Sequence, residues 1–330
     1  MICSYFPRLK RAPRPMALFT PRRIFLTPVH GCLIHLSCEP GFGDLLDPDA
    51  GRLVIRDYRP TEYPGHPQIS DITQDEDGFI YLVNVQGILQ FDGVRWKHQA
   101  APLAFTYNVR HGPQGRVWSS SANNIGYFDA SGENSKLGYH SLLPDLPDEL
   151  QDIGRGGDLA ISDEGIFYST AHGLIRFQDD ELHHCTGDED WLGGSINVLD
   201  GVIYWVRNGE DLLRVSEDSL ELVVHDSELL SGRSTRVTSR PNQSPLWVIG
   251  ERGVFEINTE DKSLRRIEGP LDTIVSDGRI NDVERLDADS FAVATSLHGI
   301  IVSDNTGQRI RRIDRNASLA ENAVLSLFTD

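Results

Sequence analysis

Cysteine is scarce in this chain and poorly placed for any framework. Of the four, Cys3, Cys32 and Cys38 fall in the first 40 residues and only Cys185 lies in the body. A lone thiol there forms neither an internal disulfide nor a paired-cysteine metal site, so cysteine usage leaves the compartment undecided. Long apolar runs are lacking too. No stretch reaches the roughly 18 residues that a membrane-spanning helix needs. Sustained helical periodicity is also missing, which points away from helical architectures. Catalytic signatures are absent: there is no GxSxG, HExxH or P-loop, and no GxGxxG following a strand. Basic charge is short. The 330 residues carry 31 basic and 49 acidic side chains, and six basic and one acidic residue sit in the first 40, leaving the body 25 against 48. A surface that acidic repels phosphate backbones, so nucleic acid is not an expected partner.

The first 40 residues differ from the rest. Arg8, Lys10, Arg11, Arg14, Arg22 and Arg23 stand there against Glu39 alone, followed by a moderately apolar stretch from Ile24 to Cys38. That order fits an export signal, although Pro28, His30 and His35 interrupt the apolar part. The alternative is a disordered N-terminus. Residues 1–40 are therefore set apart from a body spanning 41–330.

What the body does have is a repeat. The clearest unit begins at Ile69, ISDITQDEDGFIYLVNVQGILQFDGVRWKH. It divides into four short segments rich in β-branched and aromatic residues, separated by Gly, Asp and Asn at turns. Comparable units begin at Thr106, Gly157, Ile196, Arg236 and Ile280, giving spacings of 37, 51, 39, 40 and 44. A four-strand unit repeated at that period predicts an all-β fold, a β-propeller of four-stranded blades. Six units are complete. A seventh begins with SLAENAVLSLFTD and stops at Asp330. Residues 52–58 (RLVIRDY) read as a spare strand able to complete that last blade, with about three strands still missing. The expectation is a seven-bladed ring in a longer protein.

The motif IxDIxQDxxGxIYxxNxxGILxFDGxxW at 69–96, preceded by EYPGHPQ at 62–68, resembles the two-component regulator propeller family. GIFYSTAHGLIRF at 165–177 and AENAVLSLFTD at the C-terminus resemble it as well. The unit at 196 departs from the pattern by lacking the glycine before its third strand. The unit at 280 lacks the first-turn glycine and the second-strand tryptophan or tyrosine. The resemblance implies a periplasmic or extracytoplasmic sensor portion of a membrane-tethered bacterial receptor, homodimeric through the full-length protein. A kinase, cyclase or DNA-binding output would follow beyond residue 330. The propeller itself would not be an enzyme.

Propeller geometry narrows the search for a ligand. Loops entering the first strand and loops joining the second and third share one face and ring the mouth of the channel. The entering loops offer His66, Gln68, Tyr107, Arg155, Trp191, Arg233 and Arg279. The other set offers Asn84, Gln86, Asn123, Asn124, His172, Asn208, Arg252 and His298. The ligand-binding candidates are His66, Gln68, Tyr107, Asn124, His172, Arg252 and His298, and the ligand they suit is small and hydroxyl-rich or acidic. The opposite face carries the first turns (75–78, 162–165, 287–290) and reads as structural. Asp75, Glu76, Asp77 and Gly78 lack calcium-loop spacing, and 154–157 (GRGG) does not join a strand to a helix. His183, His184 and Cys185 alternate faces along a strand. No metal or cofactor is therefore expected. Two other classes stay open: a protein-interaction scaffold, and a propeller-type lyase or lactonase. The latter would need His66, His172 and His298 to converge.

Overall fold

The structure, a computed structural model, describes residues 23–28, 33–37, 54–100, 106–129, 137–154, 157–185, 194–207, 209–216, 219–230, 235–239, 245–317 and 319–329. Within these, six four-stranded antiparallel sheets follow one another along the chain. Their first strands are Ile69–Gln74, Thr106–His111, Leu159–Ser162, Gly194–Leu199, Arg236–Ser239 and Ile280–Arg285. Each sheet is a meander in sequence order, and the first strands lie side by side around a common channel. The molecule is an all-β propeller of four-stranded blades.

Burial explains why these segments read as apolar runs. The second strands Ile80–Asn84, Val117–Ser121, Gly165–Thr170, Leu246–Gly250 and Ser290–Thr295 are buried at every position. A sheet sandwiched between two others has no wet face, so polar alternation disappears. Outer strands such as Trp96–Ala100 and Leu264–Arg266 are the exposed ones. Large aromatics fill the wedges between blades. Trp118 of the second blade packs 5.2 Å from Phe177 of the third, and Trp205 of the fourth joins Phe167 of the third in one core cluster. Trp247 of the fifth meets Phe291 of the sixth at 5.9 Å.

Turns are set by local chemistry. Asp75 Oδ1 accepts the N–H groups of Asp77 (3.0 Å) and Phe79 (2.8 Å), and Gly78 adopts φ 87°. The DEDG stretch is thus an Asx-closed β-turn. Gly253 has φ 121°, and a Cβ there would lie 2.2 Å from Asp272 Oδ1. Any side chain would collide with the carboxylate that receives the Val254 N–H. In the fourth blade the corresponding position is Asp211, whose carboxylate is held by Arg207 and by His225 Nδ1 at 2.6 Å.

A seventh four-stranded sheet joins both ends of the chain. Its order is Val324–Thr329, Arg23–Pro28, Leu33–Ser37, Val54–Tyr58. Thr329 pairs with Ile24, Arg23 with Ser37, and Leu33 with Tyr58, all antiparallel. The strand predicted at 52–58 is therefore its outermost member. Arg23–Pro28 and Leu33–Ser37, set apart by the sequence within 1–40, are the two middle strands. No strand from beyond Asp330 is needed to make this sheet four-stranded, which differs from the sequence expectation. Residues 1–22 and 38–53 lie outside the described residues. The sheet packs on both neighbours: Val324 and Leu327 share a core with Ala292 and Val302 of the sixth blade. Tyr58 and Phe328 share one with Ile72, Leu82 and Phe91 of the first.

Candidate functional site

The inner strands are laced to one another by side chains. Ser70 Oγ donates to the Thr106 carbonyl (2.8 Å), Asn108 Nδ2 to Gly157 (2.7 Å), Ser195 Oγ to Thr235 (2.5 Å) and Asn281 Nδ2 to Val324 (2.6 Å). Each bond crosses to the next blade. A further set runs the other way. Asp71 accepts the Val109 N–H (2.9 Å), Asp158 that of Ile196 (3.2 Å), Asn197 that of Val237 (3.0 Å) and Asp282 that of Leu327 (3.0 Å). Inner strands stand beside strands of other blades without a sheet ladder between them, so side chains satisfy these backbone groups. Ser326 Oγ donates to both Asp71 (2.7 Å) and Asp282 (3.2 Å), tying the inner strand of the end-joining sheet to the two blades flanking it.

Several of the second set, Asp158, Ile196, Asn197, Val237, Asp282 and Leu327, line a channel cavity of about 610 Å³. Its charged lining consists of Arg110, Arg236, Arg285, Asp158, Asp282 and Glu284, with Asn197, Thr73, Gln74 and His111 among the polar remainder. Arg110 forms a 2.5 Å ion pair with Asp71. Burial pushes the Arg110 guanidinium down, but Asp71, Asp158 and Asp282 outweigh it and hold the group above its ordinary value. Arg236 lies 3.6 Å from both Asp158 and Asp282. Burial pushes the Asp71 carboxyl up against the pull of Arg110. Glu284 receives Thr329 Oγ1 at 2.8 Å, and burial, then the neighbouring Asp282 charge, raises its carboxyl to about 7. A carboxyl at such a value exchanges its proton near neutrality.

The cavity sits toward the end of the channel that the sequence read as structural. The strand Ile69–Gln74 contributes Ile72, Thr73 and Gln74 but not Ile69, and Ile280–Arg285 contributes only Asp282 onward. None of the seven ligand candidates lines it. Most of those described are occupied with their own loops. His66 Nδ1 accepts the Gln68 N–H (3.1 Å), and its carbonyl accepts from the fully buried Asn84. Asn124 Oδ1 accepts from Tyr139 Oη (3.1 Å) and Ser141 Oγ (2.8 Å). The His172 ring donates to the Asp152 carbonyl at 2.8 Å. The His298 ring lies 3.3 Å from Asp277. Side chains ending the second strands close the following loops: Asn84 Oδ1 takes the Gln86 N–H, Thr170 that of His172, and Thr295 that of His298.

Gln68 and Arg252 are exposed and Tyr107 is half-buried. Asn123 takes φ 51° and donates its N–H to the Gly154 carbonyl. Arg279 lies 3.7 Å from Glu251. Arg155, Trp191, Asn208 and Arg233 lie outside the described residues. His66, His172 and His298 belong to three separate sheets or their approaches. Among the described residues, no group of three His, Cys, Asp or Glu side chains is arranged to hold a metal ion. No helix among them is long and apolar enough to cross a membrane. Sequence reasoning missed the cavity residues because each is a single polar position inside an otherwise ordinary strand. The signal that was there is an Asp or Asn near the start of several units: Asp71, Asp158, Asn197 and Asp282.

No protein-family model and no curated protein matches this chain. Solved structures do. The extracellular domain of a B. thetaiotaomicron protein assigned to a one component system superposes with a TM-score of 0.58 at 17% identity, over 79% of this chain and 36% of that one. An extracellular domain assigned to a hybrid two component system of the same organism gives 0.57 at 17%, over 80% and 37%. Virginiamycin B lyase from Staphylococcus aureus gives 0.57 at 15%, over 74% and 83%. At these identities the likeness is one of fold. The chain spans about a third of the length of the two sensor chains.

Proposed function

We propose that this chain is the ligand-sensing, non-catalytic input portion of an extracytoplasmic bacterial receptor, of the two-component regulator propeller type, and that its ligand occupies the channel cavity. The observation that carries this reading is Arg236. Its guanidinium lines the cavity and donates no hydrogen bond among the described residues, although two carboxylates lie 3.6 Å away. A guanidinium inside a concave site that is ion-paired at 3.6 Å but makes no hydrogen bond keeps capacity that a polar ligand would use. The shared fold with extracellular sensor domains supports the biological setting, as do the family-like repeats at 69–96 and 165–177. The end-joining sheet acts in this reading as a seventh blade that closes the ring. Tethering to a membrane and pairing into a homodimer would come from the rest of the receptor.

The test is a thermal-shift screen of polar metabolites against the whole chain and against Arg236→Gln. At least one compound should raise the unfolding temperature of the parent and lose most of that effect in the variant. Hits that are unaffected by Arg236→Gln, or no hit in any chemical class, would sink the reading. An alkaline phosphatase fusion should be active if the chain is exported.

The lyase reading is favoured by one observation, the match over 83% of the virginiamycin B lyase chain. It predicts turnover of a bound compound. Ligands recovered unchanged after prolonged incubation would count against it.

A further inference from the structure

We infer that the channel cavity is built for a small zwitterion, a free amino acid, whose carboxylate meets Arg236 and whose ammonium faces Glu284. This rests on the reading of the cavity as the ligand site. Three guanidinium groups and three carboxylates line the cavity, so the lining as a whole favours neither sign. A ligand with a single charge meets repulsion from half of that lining. A neutral one displaces water from both halves and returns no charge. A zwitterion answers both.

The hydrogen-bond inventory decides which groups are free. The carboxylates of Asp71, Asp158 and Asp282 already receive backbone N–H groups from neighbouring blades. Arg285 is engaged by Asn305 and by the Ser239 carbonyl. Arg110 uses only Nη1, on Asp71 and the Val109 carbonyl. Arg236 donates no hydrogen bond within the described residues; its Nη1 and Nε stand only at ion-pair distance, 3.6 Å, from Asp158 and Asp282, which leaves hydrogen-bonding capacity for a ligand carboxylate.

An independent observation lies beside it. Asn197 is 8% exposed and lines the same cavity. Its Oδ1 is fixed by the Val237 N–H, the residue next to Arg236. That fixes the amide, and its Nδ2 has no hydrogen-bond partner. A buried amide donor without a partner is costly unless an acceptor arrives. On the other side Glu284, which receives Thr329 Oγ1 on Oε1, lines the same cavity with the carboxylate that an ammonium would meet. Ile161, Val198, Leu199 and Phe328 supply an apolar wall for the ligand's side chain.

The test is calorimetric titration of the 330-residue chain with the common L-amino acids, one at a time. Each binder is compared with its methyl ester and its N-acetyl derivative. Glucose, succinate and putrescine serve as hydroxyl-rich, anionic and cationic comparators. The inference expects at least one amino acid to bind, and expects esterification and acetylation each to weaken it by roughly tenfold or more. Arg236→Gln should reproduce the loss caused by esterification. Should that variant fold poorly, the two derivatives tested on the parent protein still decide the matter. Equal binding of the derivatives, or binding by glucose, succinate or putrescine alone, overturns the inference and leaves the cavity as the ligand site. Binding by none of these overturns the inference. The reading of the site itself falls only if the wider metabolite screen is empty too.

Discussion

At the loop face of the channel, His66, Asn124, His172 and His298 are held by contacts close in sequence. At the other end, Arg110, Asp158, Arg236 and Asp282 come from four different blades and meet across the channel. The loop-face residues have the outward character of a binding surface, being polar and set in loops. The channel residues are single polar positions in ordinary strand sequence. What separates the two groups is what their hydrogen-bonding capacity is spent on. A polar loop satisfied by nearby groups of its own has little left for a ligand, whereas a ring of inner strands must import partners from its neighbours and can leave a donor over.

The sharpest way to break this comparison is to cut the lacing itself. Asp71→Ala removes the acceptor for Val109 and Ser326 and strips Arg110 of its partner. It should cost about 3 kcal/mol in urea unfolding. A loss below about 1 kcal/mol would mean that the inner belt is not a structural element. Next in size is Asn124→Ala on the loop face. It removes the acceptor shared by Tyr139 Oη and Ser141 Oγ and should cost about 1–2 kcal/mol while leaving ligand affinity alone. An affinity change would return the site to the loop face.

Glu284 gives a pH-dependent contrast. Its carboxyl is raised from 4.5 to about 7 by burial and by Asp282, with Arg110 and Thr329 pulling it back. The folded chain therefore binds the proton more tightly than the unfolded one. The penalty for ionising Glu284 is absent below about pH 4.5 and complete above about pH 7. Glu284→Gln should thus gain about 1–2 kcal/mol over the parent between mildly acidic and mildly alkaline buffer, read from denaturation midpoints. A constant difference across that range would show that the group is not shifted. The smallest effect expected is from His172→Ala. Its ring is half-exposed and bonded to one loop carbonyl, so stability should fall by at most about 1 kcal/mol.

Blade boundaries were legible because they are local. The unit starts read at 69, 106, 236 and 280 coincide with the strands Ile69–Gln74, Thr106–His111, Arg236–Ser239 and Ile280–Arg285. Those read at 157 and 196 lie two residues from Leu159–Ser162 and Gly194–Leu199. A strand, its turn and its return are written within about 15 residues, in Asp, Asn and Gly at the corners and β-branched residues between. The outer strand at Val54–Tyr58 was readable for the same reason. The strands Arg23–Pro28 and Leu33–Ser37 were not. Basic residues, Pro28 and His35 make them resemble a leader, and Arg23–Pro28 pairs with the opposite end of the chain.

By itself, then, the sequence determined the blade: its strand lengths, turns and period, and the aromatics that wedge one blade against the next. The strand lengths, turns and period rest on contacts between near neighbours in the chain, and the aromatics are marked by their place in each unit. Only the tertiary structure decided how the two ends share a sheet and which polar side chains converge on the channel. Asp158, Arg236 and Asp282 are separated by 78 and 46 positions in the chain, and no local pattern records that their blades face one another. Ring geometry brings them together, and it also fixes which donors are spent between blades and which, like Arg236, remain.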